Sequence, residues 1–461
     1  MTEQLKLKLN DSKATRWGAL VIVAFTMMAA YYVNDVVAPL KTMLETDLAW
    51  SSTDFGFFTG GYSFLNVFFL MLIWGGLILD RFGIRFTGKL ATILMVGGTA
   101  LEYYAMTGLA GADATLFGIN EIFGYKTGVF VAFAGYSIFG VGAEVAGITV
   151  SKIIAKWFKG KELAMGVQVA LARIGSQAGY AVAIPLARAF GISTPVLLGL
   201  VLLLGGMVAF FIFAVMDKKL DRQMEVAAIA AGAEDEEEKF SFKDVKNILV
   251  NPGFWLIALL CVLFYSCVFP FQKFASELMI IKYGINENVA GTFAGLPALG
   301  ALILTPVFGG FIDKRGKSAS IMLLGSAMLI CVHFIYAIPD INYWLVAIVL
   351  MIILGIAFSL VPSAMWPAVA KIFPVSQLGT AYALIFFIQN IGLWGIPTLI
   401  GWVLDAYCIS GKKPDGTNMY DYMVPMCIFT GIACLSLVVA LLLKKADKKY
   451  GYKLEEPNIQ K

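Results

Sequence analysis

Two ionisable residues stand in stretches otherwise too apolar to hold them: Glu144 in GVGAEVAGITV and Arg173 in VQVALARIGSQ. Each stretch is long enough to cross a bilayer as a helix. A charged side chain at the middle of such a helix costs roughly 2.5–3.5 kcal/mol on insertion scales. Charges kept against that cost mark a polar cavity. A carboxylate and a guanidinium at similar depth suit a zwitterion: the acid takes an ammonium, and the planar guanidinium takes a carboxylate through two parallel hydrogen bonds. The bland alternative is an ion pair that struts two helices together. Both charges sit on stripes of small or polar residues at helical spacing, Tyr136, Gly140, Glu144, Gly147 and Ser151 on one helix and Gly166, Ala170, Arg173, Gln177 and Tyr180 on the next. The stripes are expected to face each other or a shared cavity.

Further polar groups in apolar surroundings are candidates for the same cavity. Asp35 lies beside tyrosines in YYVNDVVAP, and Glu102 lies in an apolar run of its own. Lys273 and Glu277 in FPFQKFASE are four apart, so they can neutralise each other on one helix face, or Lys273 can serve the site. His333, the only histidine, is expected to pack between helices. Trp366 follows Pro362, and Gln389, Asn390 and Trp394 recur at three-to-four spacing; aromatics and amides of this kind suit a peptide backbone.

The elements that must position these residues are membrane helices. Hydrophobic residues make up 59% of the chain and charged residues 14%, which places it among integral membrane proteins. Twelve spans are expected, at 17–40, 53–77, 87–108, 128–151, 163–189, 193–216, 253–281, 288–312, 318–338, 342–366, 377–404 and 421–443. Of the 35 Lys and Arg, the side of both termini carries 27 and the opposite side 7, with Arg173 inside a span. By the positive-inside rule both termini are cytoplasmic. The net charge of +4 is mostly this bias and calls for no nucleic-acid partner.

An internal repeat divides the chain. GGLILDRFGIR (Gly75 to Arg85) follows span two, and GGFIDKRGK (Gly309 to Lys317) follows span eight. The first copy, in Gly76, Asp80, Arg81, Gly83 and Arg85, resembles the G-x-x-x-D-R-x-G-x-R signature of the major facilitator superfamily. The second keeps Asp313, Arg315 and Gly316 but has Lys314 after the acid. The resemblance implies a gating role, with the acid and the arginines clamping the cytoplasmic side in one conformation. It also implies an all-α fold of two six-helix bundles around a midplane site. The expected organisation is a tail at 1–16, the first bundle at 17–216, a polar linker at 217–252 carrying EDEEE, the second bundle at 253–443, and a tail at 444–461.

Enzyme motifs fail on inspection. The P-loop-like GFIDKRGKS has Phe311 where the first glycine should fall, and GVGAEV has Val145 in place of the last glycine of a dinucleotide fingerprint. One histidine cannot build a His-rich metal site, and the six cysteines show no metal-ligand spacing. No catalytic residue, cofactor or metal is expected.

WFKGKELAMGVQVALARIGS (Trp157 to Ser176) narrows the resemblance. With VFPF at 268–271, WPAVA at 366–370, QLGTAYA at 377–383 and IQNIGL at 388–393, the chain resembles the major facilitator superfamily domain-containing protein 1 family, whose animal members are lysosomal dipeptide uniporters. The resemblance implies that Glu144 and Arg173 recognise the dipeptide termini and that Trp366 belongs to the pocket. Animal members work with a glycosylated accessory subunit and carry a lysosomal sorting signal. The N-terminal tail here shows no dileucine-type signal, so the expectation is a plasma (inner) membrane protein without that subunit, or a lysosomal one in a eukaryote. A proton- or anion-coupled carrier of small organic anions, with Arg173 as the anion site, is the alternative reading.

Overall fold

The computed structural model describes residues 9–111, 114–158, 162–231 and 242–458. Its helices are α1 (Lys13–Val36), α2 (Lys41–Asp47), α3 (Ser52–Phe68), α4 (Met71–Gly108), α5 (Thr127–Trp157), α6 (Glu162–Phe190), α7 (Thr194–Ala231), α8 (Phe242–Val250), α9 (Pro252–Tyr283), α10 (Glu287–Ala294), α11 (Leu296–Arg315), α12 (Ser318–Ala337), α13 (Trp344–Ile372), α14 (Val375–Tyr407) and α15 (Met423–Tyr450). A 3-10 turn, Ala38–Leu40, joins α1 to α2. Two small hairpins, β1–β2 (121–122 with 125–126) and β3–β4 (409–412 with 418–420), form in the longer loops after the third and eleventh passes.

Among the described residues nine helical stretches are long and apolar enough to cross a membrane by themselves. The second and third passes come from α3 and α4, which meet at a 59° bend. Leu70 in the left-handed region (φ 54°) breaks the helix there, and Gly83 (φ 73°, ψ 175°) turns the chain between the two passes inside α4. That backbone geometry excludes most side chains, which explains the glycine of the first signature copy. The fifth pass, α6, carries Gln168, Arg173 and Gln177 and is correspondingly less apolar. The twelve passes match the expected spans. The polar segment after the sixth pass begins later than its composition suggests, because α7 stays helical through Asp217 and Asp221 to Ala231. The EDEEE stretch and Lys159–Lys161 of WFKGKEL lie outside the described residues.

One end of the bundle carries the start of α1, the segment that follows α15 and most of the basic residues; it is called the basic end here, and the other the far end. The two halves are closed at the far end by backbone approach. A Cβ on Gly56 of α3 would lie 2.4 Å from the Pro397 carbonyl oxygen of α14, one on Gly60 2.7 Å from that of Trp394, and one on Gly401 2.3 Å from that of Ser52. On the other flank, a Cβ on Gly291 of α10 would lie 2.2 Å from the Tyr180 carbonyl oxygen of α6. Only glycine admits such crossings, the small-residue packing that lets membrane helices approach closely.

At the basic end, residues after α15 fold back over the turn between α11 and α12. The Lys317 and Ser318 N–H groups donate to the carbonyls of Glu455 and Leu454 at 3.1 and 3.0 Å. Asn458 donates through its N–H to the Asp313 carbonyl at 3.1 Å and through Nδ2 to Oδ1 of Asp313 at 2.7 Å. The Lys371 ammonium donates to the carbonyls of Lys453 and Glu456 at 3.2 and 2.6 Å.

Candidate substrate site between the halves

Glu144 sits near the middle of α5, one helical turn past Gly140. A Cβ on Gly140 would lie 2.0 Å from the Tyr62 carbonyl oxygen, so α3 crosses α5 almost backbone to backbone. The crossing brings the Tyr62 hydroxyl to Glu144, where it donates to Oε1 at 3.0 Å. The Tyr62 ring is flanked by Tyr136 and Phe139, with centroids 5.8 and 6.2 Å away. Glu144 stays half-buried.

Arg173 reaches the same region from α6, which packs on α1 through Gly175 and Gly179; their Cβ positions would lie 2.1 and 2.9 Å from the carbonyl oxygens of Met28 and Tyr32. The guanidinium lies between two aromatic faces, 5.5 Å from the Tyr31 ring centroid and 4.8 Å from that of Phe358. Tyr31 belongs to the first half and Phe358, on α13, to the second, so the cation spans the two. Such contacts contribute about 0.5–2 kcal/mol each and use no N–H donor. Among the described residues Arg173 has no hydrogen bond or ion pair, so its planar fork is free for a carboxylate.

Glu144 and Arg173 therefore do not form the strut that sequence left open. The two stripes do not pack on each other either: that of α5 meets α3, whereas Gln177 of α6 donates to the Thr292 carbonyl of α10 at 3.2 Å. The charges are held separately instead, Arg173 over the Tyr31 ring and Glu144 at the Tyr62 hydroxyl.

The second half supplies an aromatic wall. Tyr265 and Phe269 stack at 5.5 Å, with Phe358 edge-on to both. Trp366 is half-buried and stacks on Phe386 at 4.8 Å, and the Tyr382 hydroxyl donates to the Trp366 carbonyl at 3.1 Å. Gln389 and Asn390 are buried: Gln389 takes a contact from the Cys261 thiol at 3.4 Å, and Asn390 donates to the Phe386 carbonyl of its own helix at 2.9 Å. His333 packs between Phe271 and Phe429.

A polar layer lies toward the far end. The Lys273 ammonium donates to the Asn34 carbonyl at 2.6 Å and lies 3.3 Å from Asp35 Oδ1 and 3.4 Å from the Tyr136 hydroxyl. Glu102 is fully buried near this layer, and neither of its oxygens has a hydrogen-bond partner. Of the two alternatives the spacing left open, the Lys273–Glu277 pairing does not occur. Glu277 pairs with Lys41 at 2.5 Å, and Lys41 also holds Glu45 at 2.5 Å. Lys413 lies 3.6 Å from both Glu45 and Glu277, and the Tyr422 hydroxyl donates to Glu277. Asp405 of α14 accepts the Ser52 and Thr53 N–H groups at 3.3 and 2.6 Å, closing the open first turn of α3 from the opposite half. The Lys273–Glu277 spacing goes unused because Glu277 turns to Lys41 of the other half and Lys273 to Asn34 and Asp35 of α1.

The signature residues pair within their own half. Asp80 lies 3.2 Å from Lys152 of α5, and Arg85 lies 2.7 Å from Asp221 of α7. Arg81 is exposed over the Phe82 ring, Gly76 faces open space, and Arg315 lies over Phe311. Asp313 and Gly316 lie under the C-terminal segment, with a Cβ on Gly316 falling 2.4 Å from the Glu456 backbone.

Sequence reasoning passed over Tyr31, Tyr62, Phe358 and Lys41. Lys41 could have been noticed as a charge directly after an apolar span; the aromatic residues carried no signal against a background of 35 Phe and 18 Tyr.

The profile of the Major Facilitator Superfamily matches residues 20–396. The lysosomal dipeptide transporter MFSD1 of Homo sapiens is 28% identical over 454 residues, covering 95% of this chain and 88% of that protein. MFSD1 of Gallus gallus is 32% identical over 324 residues, 67% of each. Among solved structures, a point mutant of the nucleoside transporter NupG superposes with a TM-score of 0.68 at 12% identity, covering 92% of this chain and 98% of that one. A bacterial homolog to the human lysosomal transporter Spinster, in an inward-facing and unoccupied conformation, gives 0.64 at 14% identity over 96% and 98% of the two chains.

Proposed function

The chain belongs to the Major Facilitator Superfamily, and from that premise we propose that it moves dipeptides across a membrane by alternating access, as a uniporter. Glu144 receives the α-ammonium, Arg173 receives the α-carboxylate, and the wall of Tyr265, Phe269, Phe358 and Trp366 accepts side chains without selecting one. The observation that carries this reading is the pair of opposite charges held apart between apolar helices: among the described residues Arg173 keeps its whole donor fork free between Tyr31 and Phe358, and Glu144 is held by Tyr62 alone. The names of the curated relatives agree with it. Lys273, Asp35, Tyr136 and Gln177 bound the site on its far side, and the signature residues from Gly76 to Arg85 and from Asp313 to Gly316 act at the basic end. That end faces the cytoplasm, following the excess of basic residues there.

Ligand-induced thermal stabilisation tests the reading, because a ligand that binds only the folded state raises apparent stability by mass action. Dipeptides of varied side chain should stabilise the purified protein; single amino acids and dicarboxylates should not. Glu144→Gln and Arg173→Ala should each weaken dipeptide binding by at least about tenfold, the loss of one charge-assisted hydrogen-bonded contact. Stabilisation by dicarboxylates that survives Glu144→Gln would instead identify a carrier of organic anions centred on Arg173.

A further inference from the structure

We infer that Tyr62 is a positioning residue for Glu144 and sets the preference for substrates with a free α-amino group; the inference rests on the reading of Glu144 as the ammonium site. The Tyr62 hydroxyl is the one hydrogen-bond partner of Glu144 among the described residues, and it engages Oε1 alone. Oε2 is left open on a half-buried side chain. A carboxylate on a flexible stem would otherwise sample several rotamers, and ordering it at the moment of binding would cost affinity.

The phenol itself is held on three sides. Gly140 lets the α3 backbone come within contact of α5 one turn before Glu144. Gly61, next to Tyr62, is similarly confined, because a Cβ there would lie 2.9 Å from the Phe133 ring. Tyr136 and Phe139 flank the Tyr62 ring, and Tyr136 is fixed in turn by its hydroxyl, which donates to the Asn34 carbonyl at 2.8 Å. The direction of the O–H is thus set by backbone packing and reaches the substrate only through Glu144. Arg173 has no such support, being seated on ring faces. The amino end is read by a fixed acceptor, the carboxyl end by a donor fork that can swing.

The test compares a dipeptide with its N-acetyl derivative as competitors of labelled dipeptide uptake into proteoliposomes, for wild type, Tyr62→Phe and Glu144→Gln. Tyr62→Phe keeps the ring and removes only the hydroxyl. It should raise KM for the free dipeptide about tenfold with kcat near wild type, and change the inhibition constant of the N-acetyl dipeptide less than twofold. The discrimination between the two peptides then narrows about tenfold. Equal losses for both peptides, a fall in kcat at constant KM, or an unchanged discrimination ratio would overturn the inference. In the last case a Glu144→Gln variant that has lost discrimination leaves the ammonium site standing and removes Tyr62 alone. A wild type that does not distinguish the two peptides overturns both.

Discussion

The cluster at the far end makes a quantitative demand. Lys41 and Lys413 balance Glu45 and Glu277, and the side chains of Lys41 and Glu277 are each only 1% exposed. Removing any one of the four leaves a net unit charge with little water to stabilise it. Breaking a buried pair by deleting one partner costs about 3–5 kcal/mol. On the proposed alternating-access reading that cost falls on the far-closed state, because opening would carry Glu277, on the second half, away from Lys41, on the first, and expose both to water. Glu277→Gln should therefore shift the far-closed to far-open ratio by at least about a hundredfold, at 1.4 kcal/mol per factor of ten. Lys41→Met should act in the same direction. The double variant restores charge balance, with Lys413 and Glu45 remaining 3.6 Å apart. Its effect should fall short of the sum of the singles by at least about 1.5 kcal/mol. Spin labels at Thr46 and Met419, exposed on opposite halves, would report the ratio by double electron–electron resonance. A single short distance is expected for wild type and a dominant longer one for either single variant. Single variants that keep the wild-type distribution, or a double variant equal to the sum of the singles, would refute the cluster as the closure.

Two further outcomes follow from packing. Gly401→Ala places a Cβ 2.3 Å from the Ser52 carbonyl oxygen, so the halves must separate by about 1 Å to reach ordinary contact; the same labels should show the longer distance and uptake should fall several-fold. Deleting residues 451–461 removes the partners of Asp313, Lys317, Ser318 and Lys371. It should lower the apparent melting temperature by about 1 °C for each kcal/mol lost and make Lys371 more reactive to acetylating reagents, and an unchanged Lys371 would show that the tail does not cover it.

The sequence made the fold legible because a span needs only length and apolarity, and the repeat of Gly75–Arg85 at Gly309–Lys317 marked the two halves. Glu144 and Arg173 were legible for the opposite reason, as charges are rare in such runs. Their neighbours were not. In a membrane both the lipid and the protein interior are apolar, so a helix does not announce which face turns inward. Tyr62 and Phe358 look like any other aromatic residue until Gly140 and the α13 wall give them places. The Lys273–Glu277 spacing invited a local pairing, yet the partner of Glu277 is Lys41, 236 residues away in the chain. The break at Leu70 depends on a backbone angle that no residue type at that position suggests.

The seam of Gly56, Gly60 and Gly401 touches peptide to peptide, and those peptides are already hydrogen-bonded inside their own helices. The glycine contacts themselves cover little apolar surface; what this flank buries lies beside them, in the Phe55–Phe274 pair, 5.4 Å apart across the halves. The attraction that is lost is dispersion, which fades within an ångström or so. A seam of leucines would resist separation gradually, like a spring; this one behaves like a snap fastener, firm in contact and indifferent once released. A half-parted seam has given up its contacts without yet admitting water.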